Sequence, residues 1–504
     1  MSVLDHWHSE LSMDRFRHRL RAVPMLFVLV PFIAGIVVAQ SYVMPLWCAI
    51  AGSVIALCGA VLALSRSVSY GFVGLALMLM GYLAVEVGAR PSAIPYDDLV
   101  EMRVSVVSPI AEREGYSVAE GRVEAWMDDC WHDAKERVQL WIRTDTLSYG
   151  DRVHLIGRLK ERISKYESYN ALMHRRGYVG GVALSNANIL GIEHNMTGGI
   201  RRYAIEKLDR YASDSTSHSV VEAMVAGSRH AMNTELRTAY STTGLAHLMA
   251  VSGLHLGIVL LVVNALLRPL CFIHRGHILC NILTIIVVWL FALLSGASPS
   301  VVRAALMLSV LLLSNILSPK YDSMNALAFT VFVMLMCRAD YLYDISFQLS
   351  VLAVVGIVAW GLPIIRCIKP KSVVVKSLIT TVIIGVVATL WTLPIVSHTF
   401  GNIPIVGVVA TPVVLLFAYV IVAAGIFVLI LPHPLSAPFG YVAEWAAALQ
   451  NSVVERFSVL PFASVEYTIT TTTLTTYYVV FIAITALVWS INRKKELTLS
   501  YDIE

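Results

Sequence analysis

Eleven apolar runs, most of them near the length of a membrane span, constrain the fold of this chain more than any other feature of its sequence. A helix needs about 20 apolar residues to cross a bilayer core of about 30 Å, and only helices and closed barrels satisfy their backbone hydrogen bonds in lipid. Hydrophobic residues make up 57% of the 504 residues, and charged residues only 14%. We therefore predict a polytopic α-helical membrane protein with ten or eleven spans. The runs are residues 23–40, 43–64, 71–89, 245–266, 278–295, 300–317, 324–338, 345–362, 377–397, 405–431 and 474–491.

Basic residues ahead of the first run predict the orientation. Four arginines (Arg15, Arg17, Arg19 and Arg21) precede it, so the positive-inside rule places the N-terminus in the cytoplasm. This run resembles a signal peptide, but two further spans follow at once, and we expect it to stay uncleaved. Residues 1–90 are then a domain of three transmembrane helices, which delivers the chain to the extracytoplasmic side.

The course of residues 405–474 stays open. The tail requires an extra crossing for its basic end to be cytoplasmic, and Tyr441–Leu460 is the candidate. Its polar residues, Glu444 and Gln450 among them, are also typical of an amphipathic helix that lies at the membrane interface.

A polar segment, residues 91–195, interrupts the apolar pattern. Alternating apolar and polar residues predict half-buried strands, and Asn170–Tyr178 has a helical pattern. Several short strands with one helix favour a small extracytoplasmic β-barrel of the oligonucleotide-binding (OB) kind. The predicted strands are Met102–Val107, Ser117–Ala125, Val138–Thr144 and Asp151–Leu159.

Three tryptophans of this segment, Trp126, Trp131 and Trp141, are candidates for stacking on the bases of a single DNA strand. The charge of the segment weakens that hypothesis, since Asp97 to His194 contain 13 Lys/Arg against 16 Asp/Glu. The alternative is that the tryptophans fill the core of the barrel.

Two apolar runs contain interruptions that would be costly at membrane depth unless they face protein or water. The first is GLAHLMAVSGLHLG, from Gly244 to Gly257, and the second is SGASPS, from Ser295 to Ser300, with Arg303 one turn later. Discontinuous helices of this kind line substrate paths in transporters. The candidate path residues are His247, Ser252, Gly253, His255 and Gly257 at the first break, Ser295, Gly296, Ser298 and Arg303 at the second, and Asp344 and Gln348 further along.

Structural roles compete with each of these assignments. The glycines also suit close helix packing, and Gln348 suits a hydrogen bond between helices. Arg303 is either a phosphate-binding residue at a helix start or the ion-pair partner of Asp344.

The motifs resemble those of the ComEC family, the inner-membrane DNA channels of natural transformation. The resemblance begins with GLAHLMAVSGLHLG and SGASPSVVRAALM and continues through DISFQLSVLAVVGI and TLPIVSHTFGNIPIVG, in the family's order. It implies that residues 196–504 form the channel domain in a bacterial inner membrane and pass one DNA strand into the cytoplasm. It also implies partners: an extracytoplasmic DNA receptor, a cytoplasmic ATPase and proteins that bind single-stranded DNA.

Many members of that family end in a metallo-β-lactamase-like domain, and this sequence contains no His-x-His-x-Asp-His cluster. We therefore expect no nuclease activity in this chain and a separate nuclease for the other strand. The seven cysteines show no metal-binding spacing, so no metal or other cofactor is predicted. Two other functions remain open: a small-solute or ion transporter, and an intramembrane enzyme that uses Ser252 and His255.

Overall fold

The structure is a computed structural model. It consists mainly of apolar helices and contains one small β-barrel. It describes residues 24–485 apart from short gaps at 42–44, 63–65, 87–93, 108–110, 114–115, 145–146, 148–149, 164–169, 171–172, 174–177, 194–195, 229–231, 250, 273–274, 318–321, 369–371, 462 and 482. The predicted fold class, a polytopic helical membrane protein with an inserted small barrel, is confirmed. Most of the predicted helix Asn170–Tyr178 lies outside the described residues, and Tyr178 itself begins a strand.

Three apolar helices open the described part of the chain, and glycines hold two of them close together. A side chain at Gly35 would overlap the carbonyl oxygen of Met78, and one at Gly81 would overlap that of Phe32. Such small residues let apolar helices approach until their backbones touch. The helices are α1 (Pro24–Ser41), α2 (Leu46–Leu62) and α3 (Arg66–Glu86).

The segment after α3 folds into one sheet of seven strands, five of which close into a barrel. They are β1 (Leu99–Val106), β2 (Ala111–Arg113), β3 (Tyr116–Met127), β4 (Trp131–Arg143), β5 (Arg152–Lys160), β6 (Tyr178–Ser185) and β7 (Ile189–Glu193). The order β1-β3-β4-β6-β5 is closed by pairing of β5 with β1, and β4 pairs parallel with β6. This closure leaves five strands in the barrel wall, with β2 and β7 added outside it.

The barrel core follows from the alternation of its sequence. Met102, Val104, Leu140 and Leu155 are all 0% exposed, because alternate side chains of each strand point to the inside. The four strands predicted from this alternation all form.

Eleven described helices match the eleven apolar runs. Seven are long and apolar enough to cross a membrane: Val68–Val85, Gly253–Leu270, Gly276–Leu294, Pro299–Ile316, Ile345–Cys367, Val375–Phe400 and Val409–Ile430. Four apolar helices are shorter: Pro24–Ala39, Trp47–Leu62, Ser323–Cys337 and Thr471–Thr485. The number and positions of the apolar segments agree with a multi-pass membrane protein.

The helical part contains these elements in chain order: α4 (Met196–Asp209), α5 (Ser215–Val225), α6 (Thr234–Thr242), α7 (Ala246–Met249), α8 (Gly253–Leu267), α9 (Gly276–Leu294), α10 (Pro299–Leu317), α11 (Ser323–Cys337), α12 (Ile345–Gly356), α13 (Leu362–Cys367), α14 (Val373–Phe400), β8 (Asn402–Pro404), α15 (Gly407–Ile430), α16 (Ala437–Ser458) and β9 (Ser464–Glu466). Short 3₁₀ turns cover Arg268–Phe272 and Ala339–Tyr343.

The chain divides into two compact units. The first contains Met1–Lys207, Ala226–His230 and Leu256–Phe347, and the second contains Leu208–Val225, Ala231–His255 and Gln348–Glu504. The first unit thus holds the barrel and the second interruption, whereas most of the first interruption belongs to the second unit.

Helix α16 differs from the amphipathic interface helix that its sequence suggests. Its polar residues Glu444, Gln450 and Asn451 are buried, and its exposed face carries apolar residues, among them Tyr441 and Trp445. Within the second unit α16 packs on α5, α6 and α15. These polar side chains of α16 therefore face the protein interior, where side chains of neighbouring helices form hydrogen bonds with them.

An ion cluster ties the barrel to the turn between α11 and α12 in the first unit. Asp340 Oδ2 accepts hydrogen bonds from Arg137 Nη1 of β4 at 2.6 Å and from Arg338 Nη2 at 2.9 Å. Burial by itself raises the pKa of Asp340, but its hydrogen bonds and charge contacts with Arg338 and Arg137 outweigh burial and lower that pKa. The carboxylate is thereby stabilised in its charged form.

We expect Asp340→Asn to lower the stability of the folded protein at pH 7 by about 1.5–3 kcal/mol, the usual contribution of hydrogen bonds to charged groups. Because the pKa of Asp340 is lower in the folded state, its contribution is present above about pH 3.9, the ordinary value for aspartate, and is lost as pH falls through the folded-state pKa. Melting temperatures of the purified protein in detergent at several pH values test this. Glu161→Gln, at an exposed carboxylate of the same domain, is the control, and equal melting of Asp340→Asn and wild type at pH 7 would contradict the assignment.

Candidate functional site

The first interruption is a real break between two helices. Helix α7 ends at Met249, and α8 begins at Gly253, so Ser252 occupies the N-cap position of α8. His255 Nδ1 lies 3.2 Å from both the backbone nitrogen and the hydroxyl oxygen of Ser252. This is the second half of a capping box, in which the third helical residue accepts a hydrogen bond from the N-cap amide.

The capping contact fixes the tautomer of His255 and leaves its other ring nitrogen, Nε2, as a hydrogen-bond donor. Since Nδ1 accepts from the Ser252 amide, the proton of the neutral ring lies on Nε2. That nitrogen is buried and has no hydrogen-bond partner among the described residues. Ser252 and His255 are within hydrogen-bond reach, as a nucleophile and its base would be, but no described carboxylate contacts His255 to orient it. The geometry therefore favours a cap.

The other predicted residues of this break have different surroundings. His247 Nδ1 donates to the carbonyl oxygen of Gly244 at 2.9 Å. Gly244 has φ +73°, and an added Cβ would lie 2.7 Å from Pro404, so this glycine serves both a left-handed turn and a close approach. An added Cβ at Gly257 would meet nothing within 4 Å, so tight packing does not explain that glycine. Gly253 is the first residue of α8.

The second interruption is a fully hydrogen-bonded helix end. The amide of Ala297 donates to Ala292 at 2.8 Å and that of Gly296 to Leu293 at 3.1 Å, which together form a Schellman motif after Ser295. Gly296 has φ +87° and Ala297 has φ +48°, so two successive residues adopt the left-handed conformation. The motif stops α9 and redirects the chain without leaving its last carbonyl groups unpaired.

A new helix starts immediately after this turn. The carbonyl oxygen of Ser298 accepts from the amide of Val302 at 2.9 Å, and Pro299 occupies the first helical position, where its missing N–H costs nothing. The start of α10 therefore carries the partial positive charge of the helix dipole.

Arg303 lies one turn into α10 and is 5% exposed. Its Nε and Nη1 atoms are buried without a hydrogen-bond partner among the described residues. The alternative ion pair with Asp344 is not formed: the Asp344 carboxylate accepts from the Phe347 amide at 2.9 Å and caps α12. Gln348, in the first turns of α12, is partly buried and makes polar contacts of its own.

Gly227 is a residue of the second break that the sequence interpretation missed. It has φ +68°, and an added Cβ would lie 2.5 Å from the carbonyl oxygen of Ser295. The segment from 226 to 228 therefore packs directly against the helix end at Ser295. The only sequence signal was an isolated Ala-Gly-Ser after α5, which is common in loops.

The three tryptophans of the barrel occupy different environments. Trp126 is 8% exposed, and its ring stacks on His132 with centroids 4.9 Å apart. Trp141 is partly buried and packs against a small apolar cluster around Tyr178. Trp131 is 38% exposed, and the guanidinium of Arg103 lies 4.3 Å from the centre of its ring. Trp131 is therefore the most accessible of the three rings. Its stacking on DNA bases stays a prediction.

Two groups of potential metal ligands also come together, although no cysteine or histidine spacing indicated them. One is the exposed trio Asp128, Cys130 and His132 at the turn between β3 and β4. The other consists of Asp209, His218 and Glu222 in the second unit, where His218 and Glu222 are buried. The pair His218 and Glu222, four residues apart on α5, was the available signal for the second group.

Comparisons with known proteins identify one family and two relatives. A family model described as "Competence protein" matches residues 224–492. The chain is 30% identical over 227 residues to "ComE operon protein 3" of Bacillus subtilis (strain 168), which covers 45% of this chain and 28% of that protein. It is 32% identical over 159 residues to an "Uncharacterized protein" of Aquifex aeolicus (strain VF5), which covers 31% of this chain and 37% of that protein. No solved structure matches.

The second break generates a prediction about stability. Gly227→Ala should lower the melting temperature and the membrane abundance, because a left-handed alanine costs about 1–2 kcal/mol and its Cβ would also crowd the Ser295 carbonyl. Ala297→Gly should raise or preserve the melting temperature, since glycine adopts the observed φ of +48° without strain.

Gly257→Ala is the matched control, because it adds a Cβ into open space within a helix, where alanine is favoured over glycine by about 1 kcal/mol. Thermal melting in detergent and immunoblots of membranes compare the three variants. A melting temperature of Gly227→Ala equal to that of Gly257→Ala would refute the close contact with Ser295.

Proposed function

The chain belongs to the Competence protein family, and from this membership we propose that it serves DNA uptake as a channel that passes one DNA strand across the bacterial cytoplasmic membrane. The matched part of Bacillus subtilis ComE operon protein 3 is 28% of that protein, and the proposed activity rests on this chain's own residues. Its many apolar helices suit a channel, and its two helix breaks place polar groups at the ends of apolar helices.

The Nε and Nη1 atoms of Arg303, which have no hydrogen-bond partner among the described residues, are the observation that carries the proposal. Burying a cation without a partner costs several kcal/mol, so a protein that keeps one gains by binding an anion there. Nε and Nη1 of Arg303 are both donors, and charge-assisted hydrogen bonds from a guanidinium to phosphate oxygens are strong. A phosphodiester group of DNA provides that charge and those oxygens.

The start of α10 adds to this preference for phosphate. Arg303 follows the Schellman turn and the N-terminal residues Ser298, Pro299 and Ser300 by one turn. A helix start attracts anions through its dipole, so the helix and the arginine favour the same ligand.

The first break offers a donor of the same kind. His255 Nε2 carries a proton and is buried without a hydrogen-bond partner among the described residues, and phosphate oxygens, deoxyribose oxygens and base acceptors of DNA all suit it. Both breaks therefore present donors rather than acceptors, which fits an acceptor-rich polyanion. Few such positions suffice, because a conducting path must hold its substrate weakly enough to release it.

A transporter for small anions is the alternative that these donors also fit. It would need Arg303 and the start of α10 for the same electrostatic reason, but not the passage of a polymer. Uptake of labelled DNA and uptake of labelled inorganic phosphate distinguish the two functions.

We expect Arg303→Ala to lower transformation by about tenfold to hundredfold, because a hydrogen bond to a charged group contributes about 1.5–3 kcal/mol and 1.4 kcal/mol is a factor of ten. Arg303→Lys should retain part of the activity, since lysine keeps the charge and loses the planar fork. The abundance of both variants should be normal, because no described ion pair is broken. Transformation frequency and entry of labelled DNA into the cytoplasm measure the effect.

Arg268→Ala, at an exposed arginine, is the control for loss of one positive charge. Transformation by Arg303→Ala at the Arg268→Ala level would remove Arg303 from the path. If Arg303→Ala lowers the abundance of the protein and the added change Asp344→Asn reverses that loss, the two residues instead form a structural ion pair.

The proposed orientation, with a cytoplasmic N-terminus and an extracytoplasmic barrel, makes a separate prediction. Cys130 is exposed at the turn between β3 and β4, so a membrane-impermeant maleimide should label it in intact spheroplasts. Cys130→Ser is the matched control for labelling of the other cysteines. Labelling of Cys130 only after the cells are opened would reverse the topology.

A further inference from the structure

His218 lies at the centre of a buried polar cluster that the DNA path does not use. Its Nδ1 is 2.7 Å from Glu444 Oε1 of α16, and its Nε2 is 2.8 Å from Asp209 Oδ1 at the end of α4 and 3.5 Å from Glu222 Oε1. The side chains of His218 and Glu222 are each 9% exposed, and that of Glu444 is 4% exposed. All four residues belong to the second unit.

Glu444 orients the imidazole of His218. An ionised carboxylate only accepts hydrogen bonds, so Nδ1 carries a proton and donates a hydrogen bond to Glu444. The other oxygen of Glu444 accepts from the hydroxyl of Ser213 at 3.3 Å, which holds the carboxylate in place. By the same rule Nε2 shares a proton with Asp209 when no metal is bound, and a metal ion that replaces this proton would meet the lone pair of Nε2 between Asp209 and Glu222. Metal-binding histidines are held by outer carboxylates in the same way.

The three inner groups have the spacing of metal ligands. Nε2 and the two carboxylate oxygens lie within 4.8 Å of one another. Metal–ligand bonds of about 2.1 Å place neighbouring ligands about 3.0–3.4 Å apart at octahedral or tetrahedral angles. The distances of 2.8 and 3.5 Å from Nε2 are close to these values.

Charge and access favour a cation over a proton. In the described part of the chain every ion pair of Asp209, Glu222 and Glu444 goes to His218, so three negative charges surround at most one positive charge. Buried charges need closer compensation than that. The side chain of Asp209 is 51% exposed, which leaves a route for an ion and for water ligands.

We propose that Asp209, His218 and Glu222 bind one divalent first-row metal ion such as Mn²⁺ or Zn²⁺, with Glu444 as a positioning residue. One imidazole with two carboxylates and water suits these ions. The ion ties the end of α4 to α5, and Glu444 connects it to α16. Since α5 also packs on α7 and α15, the metal stabilises the helices beside the first break, independently of what passes through the membrane.

The test uses the full chain purified in detergent, stripped with a chelator and then titrated with Mn²⁺. All proteins carry Cys130→Ser and His132→Gln, which remove the exposed trio at the barrel turn. Electron paramagnetic resonance counts bound Mn²⁺, Zn²⁺ competes for it, and thermal melting reports the stabilisation that binding to the folded state produces. We expect one Mn²⁺ per chain, displaced by Zn²⁺, and a higher melting temperature with metal than without.

Asp209→Asn is the decisive variant, because its half-exposed side chain leaves the metal-free fold undisturbed. It should weaken Mn²⁺ binding by at least about 100-fold, more than the 10–100-fold expected for Glu444→Gln, which loses only an outer contact. Asp214→Asn is the matched control, since Asp214 caps α5 through the Ser217 amide and lies outside the trio. Absence of stoichiometric binding in the parent protein, or equal binding in Asp209→Asn and Asp214→Asn, would overturn the proposal in favour of a protonated His218.

Discussion

The need to satisfy backbone hydrogen bonds away from water shapes both helix breaks of this protein. At membrane depth a helix can stop only where other groups replace its missing intrahelical bonds. The second break does so with a Schellman motif at Ser295–Ala297, and the first with the contact between His255 and the Ser252 amide. Each break is therefore a defined structure, on which polar side chains can be placed reproducibly.

Once the backbone is satisfied, the side chains left without partners become informative. Arg303 and His255 are buried, and each has a nitrogen without a described hydrogen-bond partner. Some other buried polar groups have partners, among them His218 and the hydroxyl of Tyr240, which contacts Gln450 Nε2 and Asn451 Oδ1. Because unpaired buried donors are costly, their position at the starts of two helices favours a ligand rich in acceptors.

The barrel depends on a different physical principle. Its core forms by alternation of apolar side chains, and it is joined to the turn after α11 through Asp340, which two arginines share. The buried tryptophan Trp126 shows that aromatic residues of this domain serve the core, whereas Trp131 keeps an accessible ring beside Arg103. Burial therefore leaves Trp131, and not Trp126, as the accessible candidate for stacking on DNA, and this role stays a prediction.

The sequence by itself determined the class of the fold. Run length identified the apolar helices, strict alternation identified four strands of the barrel, and the glycines and serines of two motifs located the breaks. Such patterns are local, and local geometry follows from them. Tertiary structure alone decided which residues are in contact. Asp344 caps a helix and does not pair with Arg303, and Gly227 packs against the Ser295 carbonyl. His218 contacts carboxylates from three helices. These contacts join residues up to 226 positions apart, and no period or spacing in a sequence encodes such distances.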